Sequence, residues 1–201
     1  MRTRELRRLG RGADERSRAA AADLAGAASE RELLDVAFGT IASPIGELLI
    51  AVTPRGLARV AFEDEDRGRV LEELARAVSP RILESARMTA EARRELEEYF
   101  QARRTRFELR LDRRLIHGVA RDVLAATARV PFGRVTTYGE VARKIGRPRS
   151  ARVVGNALGS NPIPIVIPCH RVLRAGGALG GYGGGLDRKE ALLRLEGVLP
   201  D

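Results

Sequence analysis

The chain has 201 residues, 44% of them hydrophobic, enough for one medium domain or two small ones with a real core. Its 36 Lys and Arg outnumber 27 Asp and Glu to give +9, and every basic residue except Lys144 and Lys189 is Arg, an excess that points to a polyanionic partner. Cys169 is the one cysteine, with His117 and His170 the only histidines, which excludes an internal disulfide and a His/Cys zinc cluster, and the longest apolar runs fall short of the ~18 residues of a membrane span.

Residues 1–34 are rich in Ala, Arg and acidic groups and poor in large apolar side chains, so they read as a mobile or loosely helical extension. Glu5, Asp14 and Glu15 interrupt its basic run and no long apolar segment follows, which argues against a leader peptide and for a cytoplasmic protein. Residues 35–114 carry 15 basic and 15 acidic groups. Within them Val36-Ala37-Phe38, Glu47 to Val52 and Leu57 to Phe62 are short apolar segments separated by the turn residues Ser43-Pro44-Ile45-Gly46 and Pro54-Arg55-Gly56, a pattern of antiparallel strands. Arg69 to Val78 and Thr89 to Gln101 then place apolar residues at helical spacing. This α+β unit holds no clustered nucleophile or base and is expected to be architectural.

The charge excess belongs to residues 115–201, with 13 basic against 6 acidic groups. Helices are expected over His117 to Ala128 and Tyr138 to Ile145, broken at Val130-Pro131-Phe132-Gly133, and over Ala151 to Leu158 with Ser150 as N-cap. The last two, joined by Gly146-Arg147-Pro148-Arg149, form a candidate helix-turn-helix. Asn161 to Val172 reads as an apolar, proline-stiffened strand ending in Pro168-Cys169-His170-Arg171-Val172. A cysteine beside His170 and Arg171 has a physical route to a depressed pKa, and the thiolate is the nucleophile. Adjacent strand residues face opposite sides, so a direct Cys169–His170 pairing after a backbone turn and a relay through water both stand.

The Pro168–Val172 motif, with Tyr138, Ala151-Arg152-Val153-Val154-Gly155 and Asn161-Pro162 before it and Gly181-Tyr182-Gly183-Gly184-Gly185 and Lys189 to Gly197 after it, resembles the O6-alkylguanine-DNA alkyltransferases, strongly over residues 115–198 and weakly over 36–62. The resemblance implies an α/β (α+β) protein: a strand-and-helix domain at 35–114, then a mostly helical, winged-helix-like domain at 115–201. It implies direct-reversal repair of double-stranded DNA, in which Cys169 takes a methyl or small alkyl group irreversibly from O6 of a flipped guanine, with O4 of thymine left open. By the same resemblance His170 and Glu196 form a base relay to Cys169, and Tyr138 crowds the phosphate beside the target and donates a proton toward N3 of the leaving guanine. Arg152 is the finger that fills the gap in the stack, with Ala151 and Gly155 beside it on the DNA. Gly155, Ala157 and Gly159 let that helix lie close to the sugar edges. Asn161 is the hinge, and Val172, Tyr182 and Gly183 hold the base.

Gly183 stands where many relatives carry a hydroxyl, and Val123-Leu124 where many carry Val-Trp. No metal and no cofactor are expected, and the protein is expected to be a monomer, with cooperative loading on DNA left open. Cys169 argues against the alkyltransferase-like damage sensors, which lack the cysteine. The short polar extension argues against a fused regulator, and nothing suggests the oxyanion pocket of a Cys-His hydrolase.

Overall fold

Strand β2, Leu48–Thr53, is apolar at almost every position because both faces of its sheet are covered. Residues 34–200 are described by the computed structural model; the extension expected at 1–34 lies, but for Leu34, outside them. β1 (Val36–Ile41), β2 and β3 (Gly56–Phe62) form an antiparallel meander in the register Ala37 to Val52 and Leu48 to Phe62. Helix α1, Arg67–Ala77, then crosses to β4, Ile82–Glu84, which adds parallel to β1, giving the order β3-β2-β1-β4. The period of two sorts the strand residues onto two faces. Val36, Phe38, Leu49 and Ala51 pack with Val70 and Leu74 of α1, while Ala37, Leu48, Ile50 and Val60 pack with Ala92, Leu96 and Tyr99 of α2, Ala86–Phe100.

The second face does not stop at α2. Its core runs on into the C-terminal helices α3 (Ala120–Thr127), α4 (Tyr138–Lys144) and α5 (Ala151–Gly159), through Val123, Val141, Val154 and Leu158. The free edge of β3 is also occupied, since Val60 N donates to Pro162 O at 2.9 Å and Leu57 N to Arg110 O at 2.8 Å. Such pairing leaves no bare edge there and fixes the Asn161-Pro162 turn against the sheet.

The three expected strands and the helices α1, α2, α4 and α5 form where the apolar spacing places them. Four local readings change. The helix expected from His117 begins at Ala120, because Gly118 takes φ +54°, outside right-handed helical geometry. Ser150 occupies the cap position of α5 at φ −107°, ψ 32° and makes no side-chain cap bond, whereas Thr137 closes a full capping box with Glu140 at the start of α4. Asn161 to Pro168 is no strand. Pro162 and Pro164 remove two ladder donors, and the chain instead turns through Ile165 at φ +74°, with Ile167 N donating to Ile163 O at 2.9 Å. Cys169–Arg171 is a single 3-10 turn leading into β6, Val172–Leu173, which pairs parallel with β5, Thr136–Thr137. Ala157, expected near the DNA, is buried in the core, one position around from the exposed Asn156.

Candidate active site

The 3-10 turn aims consecutive side chains in different directions, so Cys169, His170 and Arg171 are all buried yet serve separate neighbours. Asn161 binds the turn from outside. Its Nδ2 donates to Ile167 O at 2.9 Å and to Cys169 Sγ at 3.1 Å, and its Oδ1 accepts from Ile163 N at 3.0 Å. One amide thus closes the Pro-rich turn and touches the sulfur, the hinge position read from the sequence.

His170 and Arg171 converge on Glu196, the residue after the last helix, α6 (Leu186–Leu195). Glu196 Oε1 lies 2.9 Å from His170 Nε2 and accepts from Arg171 Nη2 at 2.8 Å, while Oε2 accepts from Arg171 Nε at 2.8 Å and from Gly133 N at 3.3 Å. Burial alone would push this carboxyl up, but hydrogen bonds from His170 and Arg171 outweigh it and hold its pKa at about 2. An ionised carboxylate only accepts, so His170 Nε2 carries the hydrogen and Nδ1 the lone pair. Nδ1 is buried without a hydrogen-bond partner among the described residues. No direct side-chain bond joins His170 to Cys169, which favours the water relay of the two readings.

The thiol differs from the sequence expectation. Burial pushes the Cys169 pKa up, and the hydrogen bond from Asn161 offsets this only in part. Arg171 does not favour the thiolate as its adjacency suggested, because its guanidinium is spent on Glu196; burial likewise keeps His170 neutral, against the pull of Glu196. Sulfur is therefore a thiol at rest and needs a base at the moment of reaction.

Cys169 lies in the wall of a cavity of about 790 Å³ shared with Tyr138, Ala151, Arg152, Gly155, Tyr182 and Gly183. The structure thereby gathers most of the residues singled out from sequence around one opening. Arg152 and Ala151 are exposed at the start of α5, and the ring of Tyr138 lies over Gly155, where an added Cβ would stand 3.7 Å away. Tyr138 donates its hydroxyl to Gly181 O at 3.2 Å, and the hydroxyl of Tyr182 is buried without a partner among the described residues. His170, Glu196 and Asn161 stand behind the lining, and Val172, expected to hold the base, is fully buried outside it, its carbonyl accepting Lys189 Nζ at 2.7 Å. Among the described residues no group of His, Cys, Asp and Glu gathers as a metal site.

Residues 118–198 match the family described as 6-O-methylguanine DNA methyltransferase, DNA binding domain, and residues 36–113 its ribonuclease-like domain. The chain belongs to the 6-O-methylguanine DNA methyltransferase family. It is 40% identical over 161 residues to a methylated-DNA–protein-cysteine methyltransferase of Mycolicibacterium paratuberculosis, covering 80% of this chain and 92% of that one. A namesake from Methanosarcina acetivorans is 39% identical over 160 residues, covering 80% and 97%. Among solved structures, the O6-methylguanine methyltransferase of Mycobacterium tuberculosis superimposes with a TM-score of 0.69 at 37% identity, covering 82% and 95%, and an OGT of that organism in complex with DNA gives 0.67 at 36%, covering 80% and 92%.

The sequence reading gave no role of their own to several residues around this site. Tyr99, on α2, donates its hydroxyl to Glu196 Oε1 at 2.7 Å. Lys189 is wholly buried, bonding the carbonyls of Val172 and Leu179; burial lowers its pKa to about 8. Phe62 of β3 meets the ring of Tyr182 edge-on at 6.0 Å and lies under Gly184, where a Cβ would fall 2.5 Å from the Phe62 ring. Arg188 holds the same corner, donating to Gly184 O and Ile45 O while its guanidinium stacks 4.9 Å above Phe62. Only glycine fits at 184, so Gly184→Ala is expected to lower stability by about 1–3 kcal/mol and to slow methyl transfer by displacing Tyr182. Thermal melting together with single-turnover kinetics checks both effects.

Proposed function

We propose that this chain repairs alkylated double-stranded DNA by moving a methyl or small alkyl group from guanine O6 to Cys169, once per molecule. The observation that carries the reading is the sole cysteine in the wall of a cavity rimmed by Arg152 and Tyr138 of the helix-turn-helix, with the His170–Glu196 pair behind it. His170 Nδ1 takes the thiol proton through an intervening water, the sulfur–carbon bond forms as the O6–carbon bond breaks, and Tyr138 hands a proton to the departing guanine. The proton on His170 then replaces the one Tyr138 gave, so charge balances. The thioether product is a poor leaving group and nothing in the site removes it. Each chain is spent after one transfer.

Cys169 is 6% exposed, so a base stacked in a duplex cannot reach it and has to swing out into the cavity. Arg152 is the residue that fills the vacated stack, with Ala151 and Gly155 against the minor groove and Tyr182 and Gly183 around the base. In this reading residues 35–114 support the acceptor domain at 115–201, and binding is salt-sensitive and nearly sequence-independent, as the +7 charge of residues 115–201 suits. No helix of the described residues is long and apolar enough to cross a membrane, and we place the protein in the cytoplasm with its DNA.

Arg152→Ala is expected to slow transfer from a duplex roughly tenfold or more, because it removes the group that offsets unstacking, and to leave transfer from the free base O6-methylguanine unchanged. Rates on the two substrates, measured side by side, test the flipping role. Equal losses on both would contradict it. Single turnover is tested by limiting protein against excess methylated duplex: a plateau at one methyl per chain is expected, and continued demethylation would overturn the reading.

A further inference from the structure

Glu196 is held by four groups, His170, Arg171, Gly133 N and Tyr99, and the last of them comes from the other half of the molecule. The phenol of Tyr99 is fully buried and stands 97 residues before Glu196, donating to the same oxygen, Oε1, that takes His170 Nε2. Its ring is fixed by Phe100 and Phe107, each with its centroid 5.3 Å away, and by Phe132 at 6.1 Å, so the hydroxyl has little freedom to look elsewhere. Arg171 supplies the third donor to Oε1 and also grips Oε2.

From this geometry we infer that Tyr99 is a positioning residue through which the N-terminal sheet-and-helix unit sets the basicity of the His170 relay. The inference rests on the reading of Cys169 as alkyl acceptor with His170 as its base. Tyr99 and His170 share the charge of one carboxylate oxygen. Burial of the Tyr99 hydroxyl and the adjacent Glu196 carboxylate keep it protonated, so it serves as a constant donor. By drawing on Oε1 it lowers the share of negative charge that His170 feels, and so disfavours the imidazolium. The other charged groups acting on the pair are Arg171 on the 3-10 turn and Lys189 on α6; Cys169, on the same turn, faces Lys189 and acts in turn on Tyr182. Of these, Arg171 alone donates to Oε1.

The test is Tyr99→Phe, which keeps the ring and removes the donor. Transfer from a methylated duplex is followed by rate against pH, and the His170 ring is followed by ¹⁵N NMR. With the donor gone His170 is easier to protonate, so the acidic limb of the rate profile and the NMR midpoint both move to higher pH. The variant is then slower than the parent by roughly 3–10-fold on the acid side and by less than twofold at alkaline pH. A second protein with 3-fluorotyrosine at position 99, a stronger donor of nearly the same size, moves both to lower pH. It keeps the question open should Tyr99→Phe not fold. A uniform loss at every pH, or a changed melting temperature with an unmoved His170 midpoint, would make Tyr99 merely structural and overturn the inference. Alkylation of Cys169 by iodoacetamide over the same pH range separates this from failure of the repair reading: a protein that takes no methyl from DNA but shows the shifted limb with iodoacetamide retains the Tyr99 coupling and loses only the substrate.

Discussion

Glu196→Gln is expected to destabilise the protein by about 3–5 kcal/mol, the cost of leaving a buried charge without its partner. Arg171 is buried and gives three donors to this corner, two to Glu196 and one to Val130 O at 2.6 Å. A carboxamide offers only one acceptor oxygen, so Arg171, which donates to both oxygens, faces an NH2 group in either orientation, and Tyr99 and His170 face it as well when it takes the place of Oε1. The carboxylate also sets an acid limit. Its folded pKa of about 2 lies below the ordinary 4.5, so its stabilisation is complete above the unfolded value and is lost as pH falls through about 4.5 toward 2. His170 acts in the same sense: kept neutral by burial, it favours folding above its ordinary 6.5 and loses that contribution as pH falls. Urea unfolding from pH 7 down to pH 3 should therefore show the gap between parent and Glu196→Gln closing as the solution becomes acidic. A gap that stays constant would mean that Glu196 is not ionised in the folded protein.

His170→Gln should slow methyl transfer by about 10²–10⁴-fold, the range of a lost general base, with affinity for undamaged duplex unchanged. The resting thiol is raised by burial, so without the imidazole only solvent can remove its proton. The variant's rate should then climb with pH through the alkaline range. In the parent the rate instead levels once His170 is neutral. Stopped-flow transfer from a duplex carrying one O6-methylguanine reads both curves, and superimposable pH profiles would remove His170 from the mechanism.

Much of the fold was legible because it follows from local rules. The alternation of Leu48, Ile50 and Val52 with Leu49 and Ala51 gives the two-faced strand, and the helical spacing of Ala92, Leu96 and Tyr99 gives α2. What sequence could not show was partnership at long range. Tyr99 reads as one more apolar helix position, and nothing local says that its hydroxyl ends on a carboxylate 97 residues away. Arg171 beside Cys169 suggested a lowered thiol pKa, but a charge already paired with Glu196 has little left to give its neighbour. The Asn161–Pro168 turn was taken for a strand because its apolar run is strand-like. Pro162 and Pro164, which stiffen it, also deny it a ladder, and Asn161 supplies the bonds that shape it instead. Gly184 is one glycine among several in its motif, and nothing local says that Phe62 beneath it admits no side chain.

Cys169 as an acceptor used once leaves a covalent record on the protein. Incubating the protein with a duplex containing a single O6-methylguanine, then measuring the intact and peptide masses beside Cys169→Ser, tests it most directly. A gain of about 14 Da, one CH₂, is expected, confined to the Cys169 peptide, saturating at one equivalent and absent from the Ser variant. Duplex binding with no mass gain, or a gain that persists in Cys169→Ser, would contradict it.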